Sequence, residues 1–133
     1  MPVRNLMALG KLCLLLLLNP AHAQSPAFES QTVGIAWVIN KWFGNSISKV
    51  DLETHRHAVN HALNNLENGE TVVWRSITND AEGQVRVAYT WPANGSVCRR
   101  VYSYVRVNSR AESYQDTACL NTNRRTWTFV DKY

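Results

Sequence analysis

No apolar stretch in this chain approaches the ~20 residues that a helix needs to cross a bilayer; the longest unbroken one runs from Leu12 to Leu18. That argues against a retained helical anchor. Basic residues never run beyond the pairs Arg99-Arg100 and Arg124-Arg125, and the formal net charge is only +4. Nucleic acid is therefore not an expected partner; the pairs read as solvated strand ends that an anionic surface could also meet. Catalytic signatures are missing too. Ser76, Ser96, Ser103, Ser109 and Ser113 lie outside any nucleophile-elbow sequence. His57 and His61 are spaced for one helix face, with Glu53 a turn earlier, but no acid follows the first histidine as the zinc-hydrolase motif requires. Asp80, Glu82 and Asp116 make an acid pair only if folding unites them, and Asp80 and Glu82 sit in a turn-like stretch. The expectation is a protein that is not an enzyme, with no metal and no cofactor.

Cysteine is scarce as well, at three residues, and the first of them sits in a segment built for removal. Arg4 and Lys11 precede the Leu12–Leu18 run, Asn19-Pro20 breaks it, and Ala21-His22-Ala23 supplies the small-x-small pattern that a signal peptidase accepts. Residues 1–23 thus read as a cleaved signal peptide. Cys13 lies inside the apolar run rather than after small residues at its end, which speaks against lipidation. Loss of Arg4 and Lys11 lowers the charge from +4 to +2, so the whole-chain pI of 9.2 overstates the basicity of the mature part. Cys98 and Cys119 then remain as an even pair in an exported, oxidising setting, and a disulfide between them is the natural reading. A loop of about twenty residues closed this way is worth about 3 kcal/mol.

What remains has the length of one domain with a modest core. Gln24–Ser30 reads as a polar tether, and Val33–Phe43 as a short apolar helix bearing Trp37 and Trp42. That helix either packs on the domain's own core or lies on a membrane surface. From Val50 to Glu67, Leu52, His55, Val59, Ala62, Leu63 and Leu66 recur at three- and four-residue steps, which predicts an amphipathic helix. Asp51 is a candidate N-cap or first-turn acid, and Asn68-Gly69 a stop. His55 falls on the apolar side as a boundary core histidine, whereas His57 and His61 project to solvent.

After Gly69 the composition changes to strands: Thr71–Ile77, Gln84–Trp91, Cys98–Val107, Ala111–Leu120 and Thr126–Val130. The turns between them are Asn79–Gly83, Pro92–Gly95, Asn108-Ser109 and Asn121–Asn123. In the second strand Val85, Val87, Tyr89 and Trp91 are expected on one face, with Arg86, Ala88 and Thr90 on the other. Pairing outward from Asn108-Ser109 sets Cys98 opposite Cys119, so topology and disulfide support one another. In the third strand Arg100, Tyr102, Tyr104 and Arg106 alternate with Val101, Val105 and Val107. An Arg–Tyr face is either an ordinary cross-strand ladder or a recognition surface. The fold class expected is α+β: an amphipathic helix packed on a five-stranded antiparallel sheet, with a short N-terminal apolar helix.

The order of residues carries a family resemblance. Gly44-Asn45-Ser46-Ile47 leads to Asp51 and a helix with Arg56, Ala58 and Ala62-Leu63; Asn68-Gly69-Glu70, Trp74, Gly83 and Val85 follow; Gly95, Cys98-Arg99, Thr117-Ala118-Cys119 and Trp127 close it. Over about residues 44–131 this resembles the C-terminal domain of the rickettsial-type 17-kilodalton outer-membrane surface antigens. Members of that family usually carry a lipoprotein cysteine at the cleavage site and a glycine-zipper segment. Here the cleavage region is Ala21-His22-Ala23-Gln24, and residues 33–43 hold one glycine and two tryptophans. The resemblance implies a location in the envelope rather than a chemistry.

The organisation expected is a signal peptide over 1–23, a tether and Trp-bearing helix over 24–48, and a surface-antigen-like domain over 49–133. The function expected is an exported binding or structural module of the periplasm or outer membrane, partnered by an envelope protein or outer-membrane component, with peripheral membrane contact open. Trp37 and Trp42 are its candidate docking residues, and Arg100, Tyr102, Tyr104 and Arg106 its candidate recognition face. The alternative is a periplasmic inhibitor or immunity-type protein that blocks an enzyme such as a cell-wall hydrolase, which needs a protruding loop at Asn79–Gly83 or Pro92–Ser96.

Overall fold

The computed structural model describes residues 29–30 and 33–130, with side chains from Val38 onward. The expected signal peptide, with Arg4, Lys11 and Cys13, lies outside the described residues. In chain order the elements are β1 (Glu29–Ser30), α1 (Val33–Phe43), α2 (Lys49–Asn65), β2 (Thr71–Arg75), β3 (Ala81–Ala93), β4 (Ser96–Val107), β5 (Arg110–Asn121) and β6 (Thr126–Phe129), with a single 3-10 turn at Gly44–Ser46 after α1. The sheet order is β1-β6-β5-β4-β3-β2. Five strands run antiparallel to their neighbours, as their short connections dictate. The two-residue β1 adds to the edge in parallel with Thr126 and Trp127 of β6, so the last two residues of the expected tether belong to the sheet. α2 packs on one face of this sheet, which makes the fold α+β.

Local chemistry explains the helix. Ser48 is the N-cap, its Oγ accepting from the Asp51 N–H at 3.0 Å. Asp51, one of the two N-terminal roles expected for it, therefore sits in the first turn rather than at the cap, where a carboxylate suits the helix dipole. Val59, Ala62 and Leu63 are fully buried against the sheet, with His55 beside them. Val38, Ile39 and Phe43 of α1 and Ile47 after it join the same core. Each such apolar side chain contributes roughly 1.5–3 kcal/mol on burial. Among the described residues no helix is long and apolar enough to cross a membrane.

The far end of α2 is held by an arginine from the sheet. The Arg99 guanidinium donates to the carbonyls of Leu63 at 2.8 Å, Ala62 at 3.1 Å and Leu66. A helix end leaves such carbonyls short of backbone donors; here Ala62 also accepts from the Leu66 N–H at 3.2 Å. Arg99 reaches these carbonyls because it shares the helix-facing side of β4 with Val101, Ser103 and Val105, and a bulge in β3 brings Thr90 to the same side. Val87 pairs with Val101, but Tyr89 pairs with Arg100, leaving Ala88 unopposed. Past the bulge every side chain changes face. Thr90 turns toward α2, where its hydroxyl donates to Asn68 Oδ1 and accepts from Arg99 Nε. This corrects the expected alternation: Val85 and Val87 are in the core, whereas Tyr89 and Trp91 lie on the opposite face.

Two turns are tighter than expected. β3 begins at Ala81 rather than Gln84, so Ala81–Gly83 are ladder residues and the connection from β2 shrinks to 76–80. Pro92, Ala93 and Ser96 are also strand residues, and Asn94-Gly95 alone makes the hairpin, both with positive φ (47° and 74°), as a two-residue I′ turn demands. The β4–β5 register follows the expected pairing about Asn108-Ser109 and sets Cys98 opposite Cys119. The two form a disulfide, with Cα atoms 4.0 Å apart, at the end of the hairpin remote from its turn.

Candidate functional site

A sheet covered by helices on one side has a second face to account for. Strand alternation directs Arg75, Gln84, Arg86, Tyr102, Tyr104 and Gln115 away from α2. Among the described residues no element covers them. Register sets the pattern of this open face: Arg86 lies opposite Tyr102, which lies opposite Gln115; Gln84 lies opposite Tyr104, which lies opposite Ser113. The twist of the strands leaves a cleft of about 520 Å³ there. Thr71 of β2, Gln84 and Arg86 of β3, Tyr102 and Tyr104 of β4, and Ser113 and Gln115 of β5 line it. Ser103 and Tyr114 also line it; their side chains turn to the helix side, so the floor is strand backbone.

The Arg86 guanidinium carbon lies 5.5 Å from the Tyr102 ring centroid, a cation–π contact, and Tyr102 remains 41% exposed. Tyr89 and Trp91, brought to this face by the bulge, contact each other with ring centroids 5.1 Å apart. Arg106 closes one end of the face. It donates to Asp80 Oδ1 at 3.0 Å, to Glu82 Oε1 at 3.3 Å and to the Asn108 carbonyl at 2.7 Å. Hydrogen bonds from Asp80 and then Glu82 raise its pKa above the ordinary arginine value. Arg75 lies 3.8 Å from Glu82 on the same side. Across β2–β5 the open face thus carries Arg75, Arg86, Arg100 and Arg106; Asp80 and Glu82 both engage Arg106 at its end, whereas Arg86 stands in a cleft whose lining holds no carboxylate, a locally positive field.

The sequence-derived candidates separate into two groups. Arg100, Tyr102, Tyr104 and Arg106 share the open face. Trp42 is on the other side of the sheet, half-buried, its ring edge-on to Tyr114 at 5.2 Å. Trp37 lies in α1, and its side chain is outside the described residues. The fold therefore does not unite Trp42 with the Arg–Tyr face. Asp80 and Glu82 both engage Arg106, while Asp116 is buried on the helix side opposite Val101, so the three acids do not form one site. His57 is exposed, 3.9 Å from Glu53, and His61 is exposed beside Asn65. Among the described residues no group of three or more His, Cys, Asp or Glu side chains is placed to hold a metal ion.

Beneath the cleft runs a buried polar relay. The Trp74 indole N–H donates to His55 Nδ1 at 3.0 Å. Since indole only donates, the imidazole proton sits on Nε2, which donates to the Tyr114 hydroxyl at 2.7 Å. Burial lowers the His55 pKa from 6.5 to about 4, so the ring is neutral. Burial, reinforced by the charge of Asp116, pushes the Tyr114 hydroxyl well above its ordinary value. Both groups are locked in their neutral forms across the ordinary pH range, which suits a specified core rather than proton transfer. Reading residues along one strand did not reach this relay, nor the roles of Gln84, Arg86 and Gln115. The cross-strand pairs about Asn108-Ser109, extended to β3, were the signal for the latter.

No protein-family model, curated protein or solved structure matches this chain.

Proposed function

We propose that this chain is an exported, non-enzymatic module of the cell envelope that docks an anionic envelope component on the open face of its sheet. The observation that carries the reading is the cleft in that face: Arg86 stands in it with no carboxylate among its lining residues and with exposed Tyr102 at its wall. A ladder that only filled space would balance its charges, as Arg106 does with Asp80 and Glu82. Export is supported by Arg4, Lys11, the Leu12–Leu18 run and Ala21-His22-Ala23, and by the Cys98–Cys119 disulfide, a bond that persists in oxidising compartments. The resemblance of residues 44–131 to surface-antigen domains supports an address in the periplasm or at the outer membrane.

Fractionation of cells expressing the full chain tests this, comparing it with an Arg86→Glu, Tyr102→Ala double variant. Both substitutions fall on exposed positions, so the variant is expected to fold. The expected result is a shortened, exported protein that sediments with the envelope and is released by high salt, with the variant in the soluble exported fraction. Equal sedimentation of both, or a soluble wild type, would overturn the docking role; a full-length cytoplasmic product would overturn export.

A second reading has one observation in its favour. The turn at 76–80 carries Ile77 at its tip, 93% exposed. It is braced by Ser76 Oγ, which accepts from the Thr78 and Asn79 N–H groups, and by Asn79, which donates to Asp51. A rigid loop with an apolar tip is the feature an enzyme-blocking protein needs. An Ile77→Asp variant that sediments as the wild type does keeps the open-face reading; one that loses all envelope binding favours the loop.

A further inference from the structure

Resting on the open-face reading, we propose that the cleft is a saccharide site, and that its ligand is a carboxylate-bearing amino-sugar unit of the kind that builds an acidic wall glycan.

The cleft lies on the sheet's face and touches the edge strand β2 only at Thr71. Its floor is backbone already committed to the β3–β4 and β4–β5 ladders, so a bound chain finds no main-chain groups to pair with. Extended peptides gain affinity by adding to a free edge, and the paired floor of the cleft offers none. Recognition must come from side chains alone. Besides Arg86, those present are two primary amides, Gln84 and Gln115, the hydroxyls of Thr71, Tyr104 and Ser113, and one partly exposed ring, Tyr102. An aromatic face offers stacking area to the C–H side of a pyranose. Amides and hydroxyls, each able both to donate and to accept, match ring hydroxyls and acetamido groups. A volume of about 520 Å³ falls within the roughly 300–1,000 Å³ of small-ligand sites.

Charge narrows the class. Arg86 lies in the cleft and no carboxylate lines it. Its guanidinium carbon lies over one face of Tyr102, 5.5 Å from the centroid, so the fork that can take a carboxylate in two parallel bonds adjoins the 41% of Tyr102 that stays exposed to a sugar. A neutral glycan would leave that arginine without use, and an acidic peptide would leave the aromatic and amide array without use. A sugar with an acidic substituent engages both.

The test is a chemical-shift titration of the mature, disulfide-intact chain with three probes: N-acetylmuramic acid, N,N′-diacetylchitobiose and a tetraglutamate peptide. The proposal expects the muramyl probe to shift the amides of Gln84, Arg86, Tyr102 and Gln115. Chitobiose should shift the same set about tenfold more weakly, for want of a carboxylate. Arg86→Gln should weaken the muramyl probe roughly tenfold while leaving chitobiose unaffected, and Tyr102→Ala should weaken both. Thermal melts of each variant confirm that it is folded. If tetraglutamate alone shifts the cleft, the saccharide assignment is overturned while the open-face reading survives. If no probe shifts the cleft, the assignment falls, and the fractionation experiment separately decides whether the face docks anything. Shifts confined to the α1–α2 side would overturn both.

Discussion

A side chain only one carbon larger at position 83 would break the centre of this protein. A Cβ built on Gly83 would come within 2.4 Å of Trp74 Nε1 and 2.6 Å of Cε2, because Trp74 lies directly over Gly83 in the β2–β3 pair. Gly83→Ala should therefore cost about 1–3 kcal/mol through overpacking, visible as a lower melting temperature. Since the displaced indole nitrogen is the one that donates to His55, the near-ultraviolet signal of Trp74 should change with it. His55 gives a second prediction. Its folded pKa of about 4 lies below its ordinary 6.5, so between those values the unfolded chain binds the extra proton. Stability from this group is complete above pH 6.5, falls as pH drops toward 4, and levels off below, for a total of about 3 kcal/mol. Urea unfolding at pH 7 and pH 4 should show that loss, and a His55→Gln variant should show a shallower dependence from a lower starting point. At this scale the sequence spoke partially. His55 was readable as a buried position from its place in the α2 stripe. Its partners were not, because Trp74 and Tyr114 lie 19 and 59 residues away and only the folded sheet brings them to one imidazole.

The elements carry their own dependencies. The sequence places the stop of α2 at Asn68-Gly69, but the helix ends at Asn65 with Leu66 as an extended C-cap, and carbonyls of its last turn accept from Arg99 of β4. Arg99→Ala should cost about 1–3 kcal/mol by leaving those carbonyls without their charged donor, and hydrogen exchange should quicken first in the last turn of α2. Arg99→Lys should restore only part, because an ammonium cannot span three carbonyls as a planar fork does. The disulfide acts on the neighbouring hairpin: reduction should lower stability by about 3 kcal/mol and loosen β4 and β5 at the end remote from Asn108-Ser109. The β4–β5 pairing was legible since one turn and one cysteine pair agreed on the register. The bulge at Ala88 was not, because alternation in Val85, Val87, Tyr89 and Trp91 is unbroken in composition, and apolar side chains satisfied either face. Its contacts lie elsewhere in the chain: Val87 exchanges backbone hydrogen bonds with Gly69 and Glu70, and Thr90 past the bulge bonds Asn68 and Arg99.

At the scale of the whole molecule, helices and core account for one face of the sheet, and among the described residues no element covers the other, where Arg86 stands in a cleft lined by no carboxylate. The α+β class and the five antiparallel strands followed from periodicity and turn residues. The sixth strand did not, since Glu29-Ser30 has no strand pattern and pairs only because β6 offers it an edge. Of the candidate site, the Arg–Tyr alternation in β4 was readable, while the cleft was not, because it is assembled from four strands whose register had to be known together. The account's central claim is that this open face, and not the α2 side, meets the envelope. The most direct measurement places a photo-reactive phenylalanine analogue at position 102, and in a separate strain at position 57 on the exposed side of α2, and irradiates living cells. The account predicts that the exported protein is cross-linked into the envelope from position 102 and stays free from position 57. Cross-linking of equal yield from both positions, or from position 57 alone, would contradict it.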